Sequence, residues 1–157
     1  MSETNAEAGG QQPELDDALR LMRDARTIAV VGASSDPRRP SNDVSRYLIE
    51  AGSTVYFVTP NEERIFGLPV YDRLQDVPEP VDIVDIFRRS EHVPPVVDDA
   101  IEAGASAVWM QLAITHEESA AQARAAGLEV VMDRCTKIEH RRLHGLGVRA
   151  AVDEEGG

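Results

Sequence analysis

A segment near the N-terminus combines small residues with two arginines, which is a combination suited to binding phosphate. The apolar run 28–31 ends at Gly32, small polar residues follow as far as Asn42, and Arg38 and Arg39 lie between them. Backbone N–H groups at the start of a helix lack intrahelical acceptors, and the helix dipole favours an anion there. Arginines add charge-assisted hydrogen bonds to phosphate. The segment predicts a phosphate-binding loop; a plain strand-to-helix connection without a ligand is the alternative.

A second arginine pair, Arg88 and Arg89, follows a later apolar run. The two guanidinium groups could line the same crevice as the first pair and bind the same anion. They could equally pair with Asp85 or Glu91, and the sequence leaves both interpretations open.

Cysteine and histidine near the C-terminus offer weaker candidates for chemistry. Cys135 could act as a nucleophile if His140 served as its base, but we interpret it as a buried, inert cysteine. His140 and His144 have the i, i+4 spacing of many zinc sites. No matching third ligand lies near them in the sequence, so we interpret them as part of a solvated helix face. We predict no catalytic residue and no metal site.

Alternating strands and helices must position these residues. Short apolar runs rich in β-branched residues predict strands at residues 28–31, 54–58, 81–87, 107–111 and 128–132. Helical periodicity and Gly or Pro stops predict helices near 15–22, from 44 to 51, at 93–103, at 115–126 and near 137–143. A very short strand near Val70 and one helical turn near Leu74 are also predicted. Thr115 and Glu118 form a candidate capping box for the fourth helix.

This alternation predicts an α/β fold: a single Rossmann-like, doubly wound parallel sheet in a three-layer α/β/α arrangement. We expect one domain over residues 13–150. Residues 1–12 lack an apolar period and predict a disordered tail, and residues 151–157 predict a frayed tail. Ligands of such sheets bind beyond the carboxyl ends of the strands, at the switch point. The segments expected there are 32–42, 59–64, 87–90, 111–114 and 133–135.

Composition excludes several classes of function. The formal net charge of −12 argues against a nucleic-acid partner, which requires a basic face. An anionic ligand would therefore need a local cluster of arginines. No apolar run approaches the roughly 20 residues of a membrane span. The polar, acidic N-terminus is unlike a signal peptide, and a single cysteine fits a reducing compartment, so we expect a cytoplasmic location.

The usual nucleotide-binding motifs are incomplete or absent. Of the G-x-G-x-x-G pattern only Gly32 is present, because Ser34 and Pro37 occupy the other two glycine positions. No acidic residue stands at the tip of the second strand to bind an adenine ribose. The Walker P-loop pattern does not occur. The sequence thus predicts a nucleotide-binding fold but gives poor support for NAD.

Six short segments in a fixed order resemble the small stand-alone CoA-binding proteins. They are Gly32-Ala33-Ser34, Arg39-Pro40-Ser41, Thr59-Pro60-Asn61, Gly67-Leu68-Pro69-Val70-Tyr71, Phe87-Arg88-Arg89-Ser90 and Asp133-Arg134-Cys135. Proteins of that family share the fold of the N-terminal CoA-binding domain of the succinyl-CoA synthetase α subunit. The resemblance covers roughly residues 15–145, nearly the whole predicted domain.

The resemblance implies roles for several positions. In the synthetase, amides and small hydroxyls of the loop after the first strand hold CoA phosphate oxygens, and that loop matches residues 34–36. The Val-Thr-Pro turn after the second strand matches residues 58–60. The synthetase has a CoA-contacting lysine just beyond it, for which Arg64 could substitute. The strand that passes the ligand matches residues 109–111. The synthetase's phosphorylated histidine belongs to a second domain, so the resemblance does not imply ligase activity.

We therefore predict a protein that binds coenzyme A or an acyl-CoA at the C-terminal ends of the parallel strands, without catalysis of its own. The alternatives are an NAD(P)-binding oxidoreductase or redox-sensing module, and a protein-interaction domain with a vestigial nucleotide crevice. An acyltransferase that uses Cys135 is more remote. The predicted partners are a small-molecule nucleotide ligand and an unidentified protein. The predicted ligand-binding residues are Gly32, Ala33, Ser34, Ser35, Arg38, Arg39, Pro40, Ser41, Thr59, Pro60, Asn61, Arg64, Phe87, Arg88 and Gln111.

Overall fold

The structure is a computed structural model that describes residues 14–156, so the predicted tail at residues 1–12 lies outside it. The strands are β1 Thr27–Val31, β2 Thr54–Val58, β3 Arg64–Ile65, β4 Leu68–Tyr71, β5 Ile83–Ile86, β6 Ala107–Met110 and β7 Glu129–Val131. The helices are α1 Asp17–Asp24, α2 Pro40–Glu50, α3 Val93–Ala103, α4 Glu117–Ala125, α5 Thr136–Gly145 and α6 Ala151–Gly156. Single 3-10 turns occur at Leu74–Asp76 and Ser90–His92.

The strands form one sheet in the order β3-β4-β2-β1-β5-β6-β7. All neighbours are parallel except β3 and β4, which form an antiparallel hairpin at one edge. The chain runs from β1 outward to β2 on one side and later to β5 on the other, so the switch point lies between β1 and β5. The predicted α/β doubly wound fold is confirmed, with the edge hairpin as an addition.

Successive residues of the central strands pack into two separate cores. Ile28 and Val30 face the helices α1, α2, α5 and α6, whereas Ala29 and Val31 face α3 and α4. This alternation follows from the two-residue period of a strand. Most residues of the central strands are apolar because both faces are covered, and Asp85 of β5 is an exception. Trp109 is fully buried in the first of these cores. Within residues 14–156, no helix combines the length and apolar character that crossing a membrane requires.

The start of α4 differs from the predicted capping box. The helix begins at Glu117, and the N-cap is His116, whose Nδ1 accepts a hydrogen bond from the backbone N–H of Ser119 at 3.1 Å. The backbone N–H of Thr115 instead donates to the hydroxyl of Ser90. The prediction was wrong by one residue because an imidazole nitrogen can cap a helix as a hydroxyl does.

The C-terminal segment also differs from the sequence-based expectation. Residues 151–156, predicted as part of a frayed tail, form the helix α6. Val152 is only 1% exposed and belongs to the same core as α1 and α5. The space for it exists because Gly52 carries no side chain: a Cβ there would lie 3.1 Å from the carbonyl oxygen of Val152.

Truncation of Val152 tests whether α6 is part of the folded domain. Val152→Ala is expected to lower the free energy of unfolding by roughly 2 kcal/mol, because it removes two buried methyl groups. Urea unfolding measures the change. Ile138→Ala, at a side chain that is 45% exposed on α5, is the control and should change stability by less than about 0.5 kcal/mol. Equal effects of the two substitutions would contradict the packed position of α6.

Candidate functional site

A cavity of about 760 Å³ opens at the carboxyl ends of β1, β5 and β6, beside the N-terminus of α2. Its volume lies within the range of roughly 300–1,000 Å³ that is typical of ligand sites. It occupies the switch point of the sheet, where the fold predicts a ligand. The predicted residues that line it are Gly32, Ala33, Ser34, Arg39, Pro40, Ser41, Thr59, Phe87, Arg88 and Gln111. We refer to this cavity as the crevice.

A smaller cavity of about 330 Å³ continues from the crevice toward α3. The two cavities share Gly32, Thr59 and Arg88. Pro60, another predicted residue, lines only the smaller one, together with Arg73. The two cavities therefore form adjoining spaces around the end of β1.

Gly32 turns the chain at the end of β1. Its φ is +90°, and its backbone N–H donates to the carbonyl of Val58 at 3.0 Å. A Cβ at this position would stand 2.9 Å from the carbonyl oxygen of Phe87 and 3.1 Å from Cδ of Arg88. Two independent reasons thus require glycine: the left-handed backbone and the close approach of the β5 end. Both reasons concern the fold itself, whether or not a ligand binds there.

Side chains fix the shape of the loop between Gly32 and α2. The hydroxyl of Ser34 accepts from the backbone N–H of Asp36 at 3.0 Å, and Nδ2 of Asn42 donates to the carbonyl of Ser34 at 3.0 Å. The carboxylate of Asp36 accepts from the backbone N–H of Arg38 at 2.9 Å. These local bonds are typical of turns built by Ser and Asp. The loop therefore has a defined conformation without a ligand.

The arginines divide between the crevice and the solvent. Arg39, Arg88 and Arg89 line the crevice. Arg38 does not: its guanidinium pairs with Asp36 at 3.0 and 3.1 Å, and its side chain is 88% exposed. Arg38 and Arg39 are neighbours in the sequence, but the backbone that enters α2 directs only Arg39 to the crevice. The sequence analysis predicted both arginines as ligand-binding residues.

Three other predicted residues line neither cavity. The backbone N–H of Ser35 donates to the carboxylate of Glu62 at 3.2 Å. Asn61 turns the chain after β2 with a φ of +72°. Arg64 lies in the edge hairpin, where its Nη1 donates to the carbonyl of Gly67 at 3.0 Å. A hairpin contact therefore engages the arginine that was expected to replace the synthetase lysine.

A buried carboxyl group, that of Asp85, is hydrogen-bonded to Gln111, which lines the crevice. Asp85 is fully buried in β5 and accepts from Nε2 of Gln111 at 2.7 Å and from the hydroxyl of Thr136 at 2.9 Å. Gln111 also donates to that hydroxyl at 3.1 Å. Burial raises the pKa of Asp85 to about 7, against the opposing effect of these two hydrogen bonds. The hydrogen bonds of the Asp85 carboxyl therefore go to Gln111 and Thr136, and not to Arg88 or Arg89.

Cys135 lines the crevice at the start of α5 and is 7% exposed. Burial raises the pKa of its thiol above the ordinary value, which disfavours the reactive thiolate. His140, the suggested base, has its Nδ1 2.7 Å from the hydroxyl of Tyr47. The structure therefore gives Cys135 the environment of an inert, buried thiol.

The two histidines of α5 do not form a solvated helix face. His140 is 1% exposed, and His144 and Asp153 lie beside it. Asp153 is a potential third ligand that the sequence analysis did not find. It comes from α6, a segment predicted to be frayed.

Several crevice residues were not among the predicted binding residues. They are Val44, Arg89, His92, Leu112, Ile114 and Cys135. Most of them lie in the segments expected beyond the strand ends, so the sequence already indicated that these positions lie near the ligand. Val44 was predicted only as the first residue of a helix, and His92 carried no sequence signal.

Comparison with known proteins places this geometry in a family context. A family model described as a CoA binding domain matches residues 26–141. The uncharacterized protein YneT of Bacillus subtilis strain 168 is 33% identical over 130 residues, which cover 83% of this chain and 96% of YneT. The structure of a hypothetical protein from Pyrococcus horikoshii OT3 has a TM-score of 0.79 and 38% identity, covering 84% of this chain and 94% of that chain.

A larger enzyme shares part of the chain. The ADP-forming acetate–CoA ligase I of Archaeoglobus fulgidus is 32% identical over 74 residues. These residues make up 47% of this chain but only 11% of the ligase. The similarity is thus confined to a small segment of that enzyme.

The buried carboxyl of Asp85 makes a testable contribution to pH-dependent stability. The pKa of Asp85 is higher in the folded protein than in the unfolded chain, so the folded state binds the proton more tightly than the unfolded state does. Between about pH 4 and pH 7 this group should lower the unfolding free energy by up to about 1.4 kcal/mol per pH unit, with no further change above both pKa values. Asp85→Asn removes this contribution. Its stability relative to wild type should therefore rise from pH 4 to pH 7 and then level off.

Urea unfolding of both proteins across this pH range measures the difference. Asp98→Asn, which removes a carboxylate from the surface of α3, is the control. A constant difference between Asp85→Asn and wild type would show that Asp85 ionises in the folded protein as it does in the unfolded chain.

Proposed function

The chain belongs to the CoA-binding domain family, and we propose on that basis that it binds coenzyme A or an acyl-CoA in the crevice. The observation that carries the proposal is the convergence of Arg39, Arg88 and Arg89 with the N-terminus of α2 around one cavity. Coenzyme A carries a pyrophosphate and a 3′-phosphate, which are the groups that such a cluster binds best.

The charge distribution supports an anionic ligand. The protein as a whole carries a formal net charge of −12, so its average surface repels phosphate. Three arginines around one cavity form a local exception to that surface. α2 begins at Pro40, which has no N–H, and the N–H of Asn42 donates to the carbonyl of Arg39 at 3.0 Å, so it is the helix dipole that adds a partial positive charge at the same place. The phosphates are therefore proposed to lie between Arg39 and Arg88, near Gly32.

The crevice also has apolar lining residues that suit the rest of the ligand. They are Val44, Leu112 and Ile114, of which Leu112 is 55% exposed. A pantetheine arm would bury apolar surface against them. Gln111, oriented by Asp85, could hydrogen-bond an amide of that arm.

We propose binding without catalysis. Burial raises the pKa of the Cys135 thiol and so disfavours the thiolate, and Nδ1 of His140 lies 2.7 Å from the hydroxyl of Tyr47. The ligase similarity covers only 11% of that enzyme, so its reaction is not transferred to this chain. The role proposed here is that of a CoA-binding module.

Ligand selectivity tests the proposal directly. Coenzyme A is expected to raise the melting temperature of the full chain more than NAD or NADP at equal concentration. A ligand at about 100 times its dissociation constant should add roughly 2.7 kcal/mol to stability. Differential scanning fluorimetry followed by titration calorimetry measures both. Stabilisation by NAD without stabilisation by coenzyme A would favour the oxidoreductase alternative, and no effect from either would favour a vestigial crevice.

The two neighbouring arginines provide a matched pair of variants. Arg39→Ala is expected to weaken CoA binding by about 10- to 100-fold, since a charge-assisted hydrogen bond contributes roughly 1.5–3 kcal/mol. Arg38→Ala removes the same charge one residue earlier, at a side chain that is 88% exposed and paired with Asp36. It should change the affinity by less than about threefold. Equal losses in the two variants would mean that general electrostatic attraction, and not contact in the crevice, determines binding.

A further inference from the structure

Three side chains outside the crevice converge between α5 and α6: His140, His144 and Asp153. Each places a potential ligand atom within 4.8 Å of the other two. The imidazole rings meet edge to face with 4.5 Å between their centroids, and Nε2 of His144 is 3.0 Å from Oδ2 of Asp153. None of the three lines either of the cavities described above.

One atom of this cluster lacks the partner that its burial calls for. Nε2 of His140 is buried and has no hydrogen-bond partner among residues 14–156, whereas Nδ1 is 2.7 Å from the hydroxyl of Tyr47. Buried polar atoms in folded proteins are nearly always paired. A hydrogen bond between His144 and Asp153 accounts for those two residues but leaves Nε2 of His140 unexplained. A cation bound at this nitrogen would explain all three.

Neighbouring groups orient two of the three residues. When Nδ1 of His140 donates its hydrogen to Tyr47, the tautomer leaves a lone pair on Nε2. The carboxylate of Asp153 accepts from the backbone N–H of Ala150 at 2.8 Å. Outer hydrogen bonds of this kind fix the tautomer and direction of metal-binding imidazoles and carboxylates.

We propose that His140, His144 and Asp153 bind one divalent transition-metal ion, with Zn²⁺ as the best-matched cation. Two imidazoles and one carboxylate are ligands that Zn²⁺ accepts, and a fourth position stays open for water or another donor. The i, i+4 spacing places both histidines on one side of α5. The ion would connect α6 to α5 and thereby hold the C-terminal helix on the domain. The negative net charge of the protein favours cations.

The test uses the full chain without a histidine tag, treated with EDTA and dialysed into metal-free buffer without coenzyme A. Titration calorimetry with ZnCl₂ is expected to show one ion per chain with a micromolar or lower dissociation constant. Co²⁺ is expected to give the visible absorption of a low-coordinate site. The melting temperature should rise with Zn²⁺, because the ion binds only the folded arrangement.

Two variants remove ligands at partly exposed positions, where the fold is expected to tolerate the change. His144→Gln and Asp153→Asn should each weaken Zn²⁺ binding at least tenfold and abolish the Co²⁺ spectrum. Circular dichroism confirms that each variant is folded. His116→Asn is the matched control, because it removes an imidazole outside the cluster and leaves a good N-cap for α4. It should bind Zn²⁺ with the affinity of wild type.

Two results would overturn the metal site: no Zn²⁺ binding in the micromolar range by the wild type, or unchanged binding in both His144→Gln and Asp153→Asn. Either would leave an ordinary hydrogen bond between His144 and Asp153. Failure here is distinguishable from failure of the proposed CoA binding, because no arm of this experiment contains coenzyme A and no substituted residue lines the crevice.

Discussion

The close approach of Gly32 to the end of β5 is the constraint on which the rest of the site depends. β1 is paired on both sides, so its chain must leave the sheet between two neighbours. It does so with a left-handed glycine whose N–H is bound to Val58 and whose Cα faces the carbonyl of Phe87. This turn brings the start of α2 to the switch point. At Gly32 the crevice is therefore lined by backbone atoms, because there is no room for a side chain.

The polar network around Asp85 is the second determinant of the site. A carboxylate within a central strand is costly to bury, and its two hydrogen bonds to Gln111 and Thr136 offset part of that cost. The same bonds connect the ends of β5 and β6 to the start of α5. They fix the direction of Gln111 and the position of Cys135, the residue before Thr136. A buried carboxyl group in this place therefore serves the geometry of the crevice at the expense of stability.

The sequence by itself determined the fold class and the segments that surround the site. Apolar runs of four or five residues, separated by helical periods and glycine stops, are local patterns that predict a parallel sheet. The carboxyl ends of parallel strands meet at one edge, so the strand assignments alone grouped the loops after β1, β2, β5 and β6. The sequence alone therefore identified the segments near Gly32, Thr59, Phe87 and Gln111 as those that surround the site. Family resemblance then supplied the class of ligand.

Only the tertiary structure decided which side chain of each loop points where. Arg38 and Arg39 are chemically alike, and the turn into α2 directs one to Asp36 and the other to the crevice. The i, i+4 pattern of α5 could not show that His140 is buried, because burial depends on Tyr47 and on α6 packing over it. Asp153 reaches the histidines only through that packing. Local patterns encode secondary structure, whereas these contacts join residues far apart in sequence and exist only once the layers have assembled.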